Sequence, residues 1–241
     1  MTNNDFLTGR IKPVECFKEG WELIKDEYWL LFAISLVGGL IGGVTMYILF
    51  GAMVCGIFYA FLRKIDGGRA SFDDLWKGFE WFVPGLVVTL FIVVPMIIVY
   101  LVLYLPIILA LAMGSNLRED EMFGILAGAV VVDLFIIVVM VCAHTLLMFS
   151  FPLIVDRGFG AFKAMGTSAR AVLKNLGGVA GLLAVNFGIV LVGQLALCVG
   201  VYFVIPILIA GNVVAYRKIF PAAAPGRFSP PPPDAYPGFQ Q

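Results

Sequence analysis

The apolar stretches of this chain are too long to be buried inside a soluble fold. Runs of twenty or more apolar residues recur, and residues 85–113 carry no charge at all. About 20 apolar residues suffice for an α-helix to cross a hydrocarbon core of about 30 Å. Of the 241 residues, 61% are hydrophobic and 13% charged, so the apolar runs are the body of the protein and not one anchor. The expected class is all-α: a polytopic membrane helical bundle.

Six transmembrane helices are expected. Residues 30–62 must hold two of them, read as 28–41 and 44–63 with a turn at Gly42-Gly43. The third covers about 85–113, where Pro95 and Pro106 predict a kink or steep tilt. The fourth covers about 123–151, the fifth ends near Leu195, and the sixth covers about 196–215. Residues 1–12 are read as a flexible N-terminus and 13–220 as a single membrane domain. Residues 221–241, with Pro230 to Pro233 in a row, are read as a disordered cytoplasmic tail. Fifteen of the 16 Lys and Arg residues lie in the N-terminus, residues 63–77, residues 157–174 and the C-terminus; Arg118 alone lies elsewhere. The positive-inside rule then puts both termini in the cytoplasm.

Three segments have a helical period of a different kind. In residues 159–174, Phe162, Met165, Ala169 and Val172 share one helical face, and Lys163, Thr167, Arg170 and Lys174 share the opposite one. Val14, Phe17, Trp21 and Ile24 repeat the apolar spacing, as do Phe72, Leu75, Phe79 and Phe82 after a capping box of Ser71 and Asp74. These are read as three cytoplasmic amphipathic helices in the membrane interface, with Lys163, Arg170 and Lys174 facing lipid headgroups. Each precedes a helical hairpin, and the turns Ile65-Asp66-Gly67-Gly68 and Val155-Asp156-Arg157-Gly158 match, so a triple helix-plus-hairpin repeat is the structural hypothesis. Residues 14–27 carry a net charge of −3, residues 71–83 one of −2, and residues 160–174 one of +3. The third helix is therefore expected near the other two, or on anionic lipid by itself.

The segments Phe17-Lys18-Glu19-Gly20-Trp21, Asp74-Leu75-Trp76-Lys77-Gly78-Phe79 and Phe151-Pro152-Leu153-Ile154-Val155-Asp156, with Ser168 and Asn175, carry a resemblance. Over about residues 12–220 the chain resembles bacterial six-span integral membrane proteins of unknown function. These are similar to the membrane domain fused to some glycerophosphodiester phosphodiesterases. The resemblance implies the six-span fold in a bacterial inner membrane and supplies no catalytic residue.

No P-loop, nucleophile elbow, zinc-protease or dinucleotide fingerprint is present. A single histidine and four unclustered cysteines offer no metal site, and no cofactor is expected. Asp66, Asp73, Asp74 and Asp156 read as turn formers and caps. The intramembrane polar residues are Asp133, His144 and Asn186, with Asp133 expected to hydrogen-bond Asn186 or a tyrosine such as Tyr100. The first function class is a non-enzymatic membrane-organising, lipid-associated or partner-binding protein, its partners being membrane lipids and a protein docked on the Pro-rich tail. The alternative is a small-molecule or ion transporter or channel using Asp133, and the third is a membrane-embedded enzyme. No nucleic-acid partner is expected, and the oligomeric state is open.

Overall fold

The structure, a computed structural model, describes residues 6–112, 118–195 and 199–222. Its elements are α1 (Pro13–Ile24), α2 (Tyr28–Val44), α3 (Phe50–Ile65), a 3-10 helix (Phe72–Trp81), α4 (Phe82–Ala112), α5 (Glu119–Leu147), α6 (Ser150–Arg157), α7 (Ala161–Lys174), α8 (Leu176–Leu195) and α9 (Gly200–Ile219). The expected tail, residues 221–241, lies outside the described residues beyond Ala222.

Four helical stretches are long and apolar enough to cross a bilayer: Phe72–Leu109, Phe123–Arg157, Leu176–Leu195 and Gly200–Ile219. A fifth is added if α1 and α2, bent by 104°, form one broken span. The first expected hairpin differs from its reading. With 17 and 16 residues, α2 and α3 reach about 25 Å and 24 Å at 1.5 Å per residue, short of a core of about 30 Å. Their turn is not at Gly42-Gly43. Both glycines continue α2, because Gly42 is where α3 crosses closely: a Cβ there would stand 2.9 Å from the Phe50 ring. The chain reverses over residues 45–49 instead, with Met46 and Tyr47 in the left-handed region at φ 50° and 66°. The hydroxyl of Thr45 donates to the Ile41 carbonyl at 2.8 Å and closes the helix end.

The three short helices pack by one rule. Each lies against the later part of the hairpin before it: the 3-10 helix on α3, and α7 on α5 and α6. For α1 that place is taken by α9, at the other end of the chain. The face each turns inward is centred on a small residue, since only there can backbones approach closely. A Cβ on Gly20 would stand 2.9 Å from the backbone of Ala210 and Gly211. One on Gly78 would collide with the carbonyl of Ala52, and one on Gly56 with that of Leu75. On α7 the equivalent role falls to the fully buried Ser168. The apolar faces expected to meet lipid tails are divided: Phe17, Ile24, Leu75, Met165 and Val172 are buried in the protein. Val14, Trp21, Phe72, Phe79 and Phe162 are exposed, Phe162 by 75%, whereas Thr167, expected on the cationic face of α7, is buried. The three units also differ: the second begins with a 3-10 helix that runs on into α4, the first with an α-helix that breaks before α2.

Residues 6–12, expected to be flexible, are tied down. The Leu7 amide donates to the Ile219 carbonyl at 2.8 Å, and the Gly9 amide to the Asn175 side chain at 2.8 Å. Asn175 donates in turn to the carbonyls of Leu7 and Ala171, and Ile11 is buried against Gly178.

Candidate functional site

The C-terminal ends of α3, α6 and α9 each bring one charged residue to a common point. Asp66 closes α3, Asp156 lies in the last turn of α6, and Arg217 in the last turn of α9. The Arg217 guanidinium lies between the two carboxylates. It donates to Asp66 from Nε at 2.8 Å and Nη2 at 2.6 Å, and to Asp156 from Nη1 at 2.8 Å and Nη2 at 2.9 Å. Tyr216, fully buried, adds a hydroxyl to Asp156 at 2.8 Å. Arg157 contacts Asp156 at 3.3 Å and donates to the Pro221 carbonyl at 2.6 Å. Two cations and two anions cancel, and every bond is charge-assisted, the kind worth about twice a neutral one.

Around this cluster several acids of the first two units find basic partners. Asp74 accepts from Arg63 at 2.8 Å and from the Ser71 amide at 2.8 Å, so the expected capping box forms and also anchors α3. Lys64 reaches Asp26 at 2.7 Å and Glu27 at 3.1 Å, and its hydrogen bond holds the Asp26 carboxyl below its ordinary pKa. Lys218 pairs with Glu19 at 2.7 Å.

The cations of α7 do not join in. Among the described residues no ion pair includes Lys163, Arg170 or Lys174. Lys163 stands 3.9 Å over the Phe159 ring and Lys174 stands 5.6 Å over Phe6. Arg170 donates to the Gly166 carbonyl and the Thr167 hydroxyl. The expected attraction between α7 and the acidic short helices is not what holds it: α7 packs on α5, α6, α4 and α8. Ser168 fastens it, donating to the Leu146 carbonyl at 2.7 Å and accepting from the Phe149 amide at 3.1 Å. That amide is free because the chain breaks between α5 and α6, next to Pro152, which has no N–H to continue the helix.

Comparison with protein-family models, with curated proteins and with solved structures finds no match.

The intramembrane polar residues do not meet as one site. Asp133 accepts a hydrogen bond from a tyrosine, as one of the two expected arrangements has it; the donor is Tyr104 of α4 and not the named Tyr100. Asn186 donates to Asn212 of α9 at 3.1 Å, a partner that sequence spacing did not suggest. His144 is exposed in the last turn of α5. Among the described residues no group of three or more His, Cys, Asp and Glu side chains gathers to hold a metal ion.

Proposed function

We propose that this is a six-span cell-membrane protein whose business is with lipid, and that α7 is its headgroup-binding surface. In this reading α2 and α3 complete the six spans by thinning the bilayer locally or by tilting little, as short helices do. Both termini and the three short helices lie on the cytoplasmic side, where the basic residues concentrate. The three units are variants of one helix-plus-hairpin repeat, and the protein organises lipid or a partner without catalysing a reaction. A relation to the membrane domain of glycerophosphodiester phosphodiesterases fits this reading.

One observation carries it. The outer face of α7 interleaves exposed apolar side chains, Phe162 and Leu173, with three cations that have no carboxylate partner among the described residues. On the other short helices Glu15, Glu19, Glu22, Asp74 and Asp156 do enter ion pairs, with Lys12, Lys218, Lys25, Arg63 and Arg217. Cations at headgroup level beside apolar groups at acyl level are what an interfacial helix presents to anionic lipid.

The test is lipid retention. Protein in nanodiscs of mixed phosphatidylglycerol and phosphatidylcholine is released for native mass spectrometry, and bound phosphatidylglycerol is counted. At about 1 kcal/mol per cation, the triple variant Lys163→Gln, Arg170→Gln, Lys174→Gln is expected to lose affinity by about a hundredfold. Equal retention by the variant sinks the proposal.

A further inference from the structure

The outer face of the 3-10 helix is composed unlike that of α7. A 3-10 helix has three residues per turn, so Asp73, Trp76 and Phe79 lie one above another. All three are exposed, and the Trp76 and Phe79 rings stack at 6.2 Å between centroids. Glu80, next to Phe79, is exposed as well. Among the described residues neither Asp73 nor Glu80 enters an ion pair. Lys77, the only Lys or Arg in this helix, is engaged on α3, where it donates to the Tyr59 hydroxyl at 3.2 Å. Two unpaired carboxylates repel anionic headgroups, so the lipid surface proposed for α7 does not suit this face. Exposed aromatic rings beside acids suit a proline-rich segment that carries a cation.

This chain contains such a segment. Arg227-Phe228-Ser229 leads into Pro230 to Pro233. A run of prolines is pre-set for the polyproline II helix, which also has three residues per turn. There Arg227, Pro230 and Pro233 share one face, and the two prolines stand about 9 Å apart, enough to straddle the stacked rings. The reach is sufficient. The last described residue is Ala222, and the carbonyl of Pro221 before it is held by Arg157 in the charged cluster. Asp66 of the same cluster precedes Ser71, the N-cap of the 3-10 helix, by five residues. That is at most about 18 Å of extended chain, and Trp76 lies about 10 Å farther on at 2.0 Å per residue. Eight residues lead from Ala222 to Pro230 and eleven to Pro233, about 25 Å and 34 Å at 3.1 Å per residue.

We propose that residues 227–233 dock on the outer face of the 3-10 helix of their own chain, with Arg227 on Asp73 and with Pro230 and Pro233 on the Trp76 and Phe79 rings. Chain direction fixes the order: the segment arrives from the Ser71 end, so its cation meets Asp73 first. A segment held in this way is withheld from any other proline-binding partner, and the 3-10 helix is then an intramolecular competitor for it. The contact stands whether or not α7 binds lipid.

The experiment places bimane on Ser229→Cys in the full chain, in a cysteine-free background, at one chain per nanodisc of phosphatidylcholine. Tryptophan quenches bimane at contact range. Emission is expected at least to double in Trp76→Phe, which keeps a ring for the prolines but cannot quench. Pro230→Ala with Pro233→Ala, and separately Arg227→Glu, should raise emission to the same level, and Asp73→Lys should restore quenching to the Arg227→Glu chain. Equal emission from the parent chain and Trp76→Phe overturns the proposal and leaves that face to lipid or to a second copy. Quenching that survives both changes in the 227–233 segment overturns it too, because the segment would then lie there without being recognised. Those changes lie outside the described helices, so they decide the matter if Trp76→Phe is not recovered.

Discussion

Arg217 and Asp156 meet in a two-point contact, Nη1 to Oδ2 at 2.8 Å and Nη2 to Oδ1 at 2.9 Å, across 61 positions of sequence. The Arg217 side chain is 12% exposed and that of Asp156 only 3%, so neither charge has water to fall back on. Removing one member of such a pair leaves the other buried and unpaired, at a cost of about 3–5 kcal/mol. Arg217→Ala is expected to lose that much stability, since Asp66 loses both its bonds and Asp156 keeps only Arg157 and Tyr216 of the partners described above. Arg217→Lys, which keeps the charge but not the planar fork, should lose less. Unfolding in mixed micelles with increasing dodecyl sulfate measures both; an Arg217→Ala midpoint equal to wild type would show that the cluster holds nothing together.

The crossing of the 3-10 helix over α3 depends on two missing side chains. Gly56→Ala and Gly78→Ala each force a methyl into a backbone carbonyl, so each is expected to destabilise by about 1–3 kcal/mol, the usual penalty of overpacking. Gly39 lies one turn from Gly42 on α2, yet nothing stands within 4 Å of its absent Cβ. Gly39→Ala should therefore be neutral or stabilising by about 0.5–1 kcal/mol, as for glycine in an open helix interior. Melting temperatures of the three variants in one detergent make the comparison.

Ser168→Ala removes the hydroxyl that serves both the Leu146 carbonyl and the Phe149 amide. Both backbone groups are then left in a buried place, and a loss of about 1–3 kcal/mol is expected. Hydrogen exchange of the Phe149 amide should rise sharply, while exchange in α9 stays as it is. Exchange rising equally in both would mean that α7 holds the whole body together and not the α5–α6 junction alone.

The short hairpin sets up a topology test. In a cysteine-free background, Met46→Cys, at the exposed tip between α2 and α3, should react with a membrane-impermeant maleimide added outside intact cells. Asp73→Cys, at the start of the 3-10 helix, should react only after permeabilisation. If both react from the same side, α2 and α3 do not cross.

The helical class and the capping box at Ser71 are local properties, and the sequence displays them locally; the break after Leu147 falls inside the span expected over about 123–151. What it hid is instructive. The apolar faces of the short helices read as turned to lipid tails, yet Phe17, Leu75 and Met165 are buried in the protein while Trp21, Phe79 and Phe162 are exposed. Periodicity weighs hydrophobicity and does not tell a protein-facing side chain from a lipid-facing one. In a lipid solvent the tightest contacts belong to glycine and serine instead. Asp66 and Asp156 read as turn formers because each stands before a turn. Their shared partner, Arg217, lies 151 and 61 positions away, beyond the reach of any spacing rule. The matching turns Ile65-Asp66-Gly67-Gly68 and Val155-Asp156-Arg157-Gly158 were the only visible trace of that cluster.

Because Gly20 rests on Ala210 and Gly211, α1 is completed by α9, the described helix farthest from it along the chain. About 190 residues separate the two, which is about 10–40 s of synthesis at 5–20 residues per second. During that time α1 has its inward face, Cys16, Phe17, Gly20 and Ile24, and lacks α9, the helix it packs on most closely. The 3-10 helix and α7 suffer no such delay, since α3, α5 and α6 precede them in the chain. A nascent chain halted before Gly200 would therefore hold two of its three joints closed and one open, and the open one would be the earliest made.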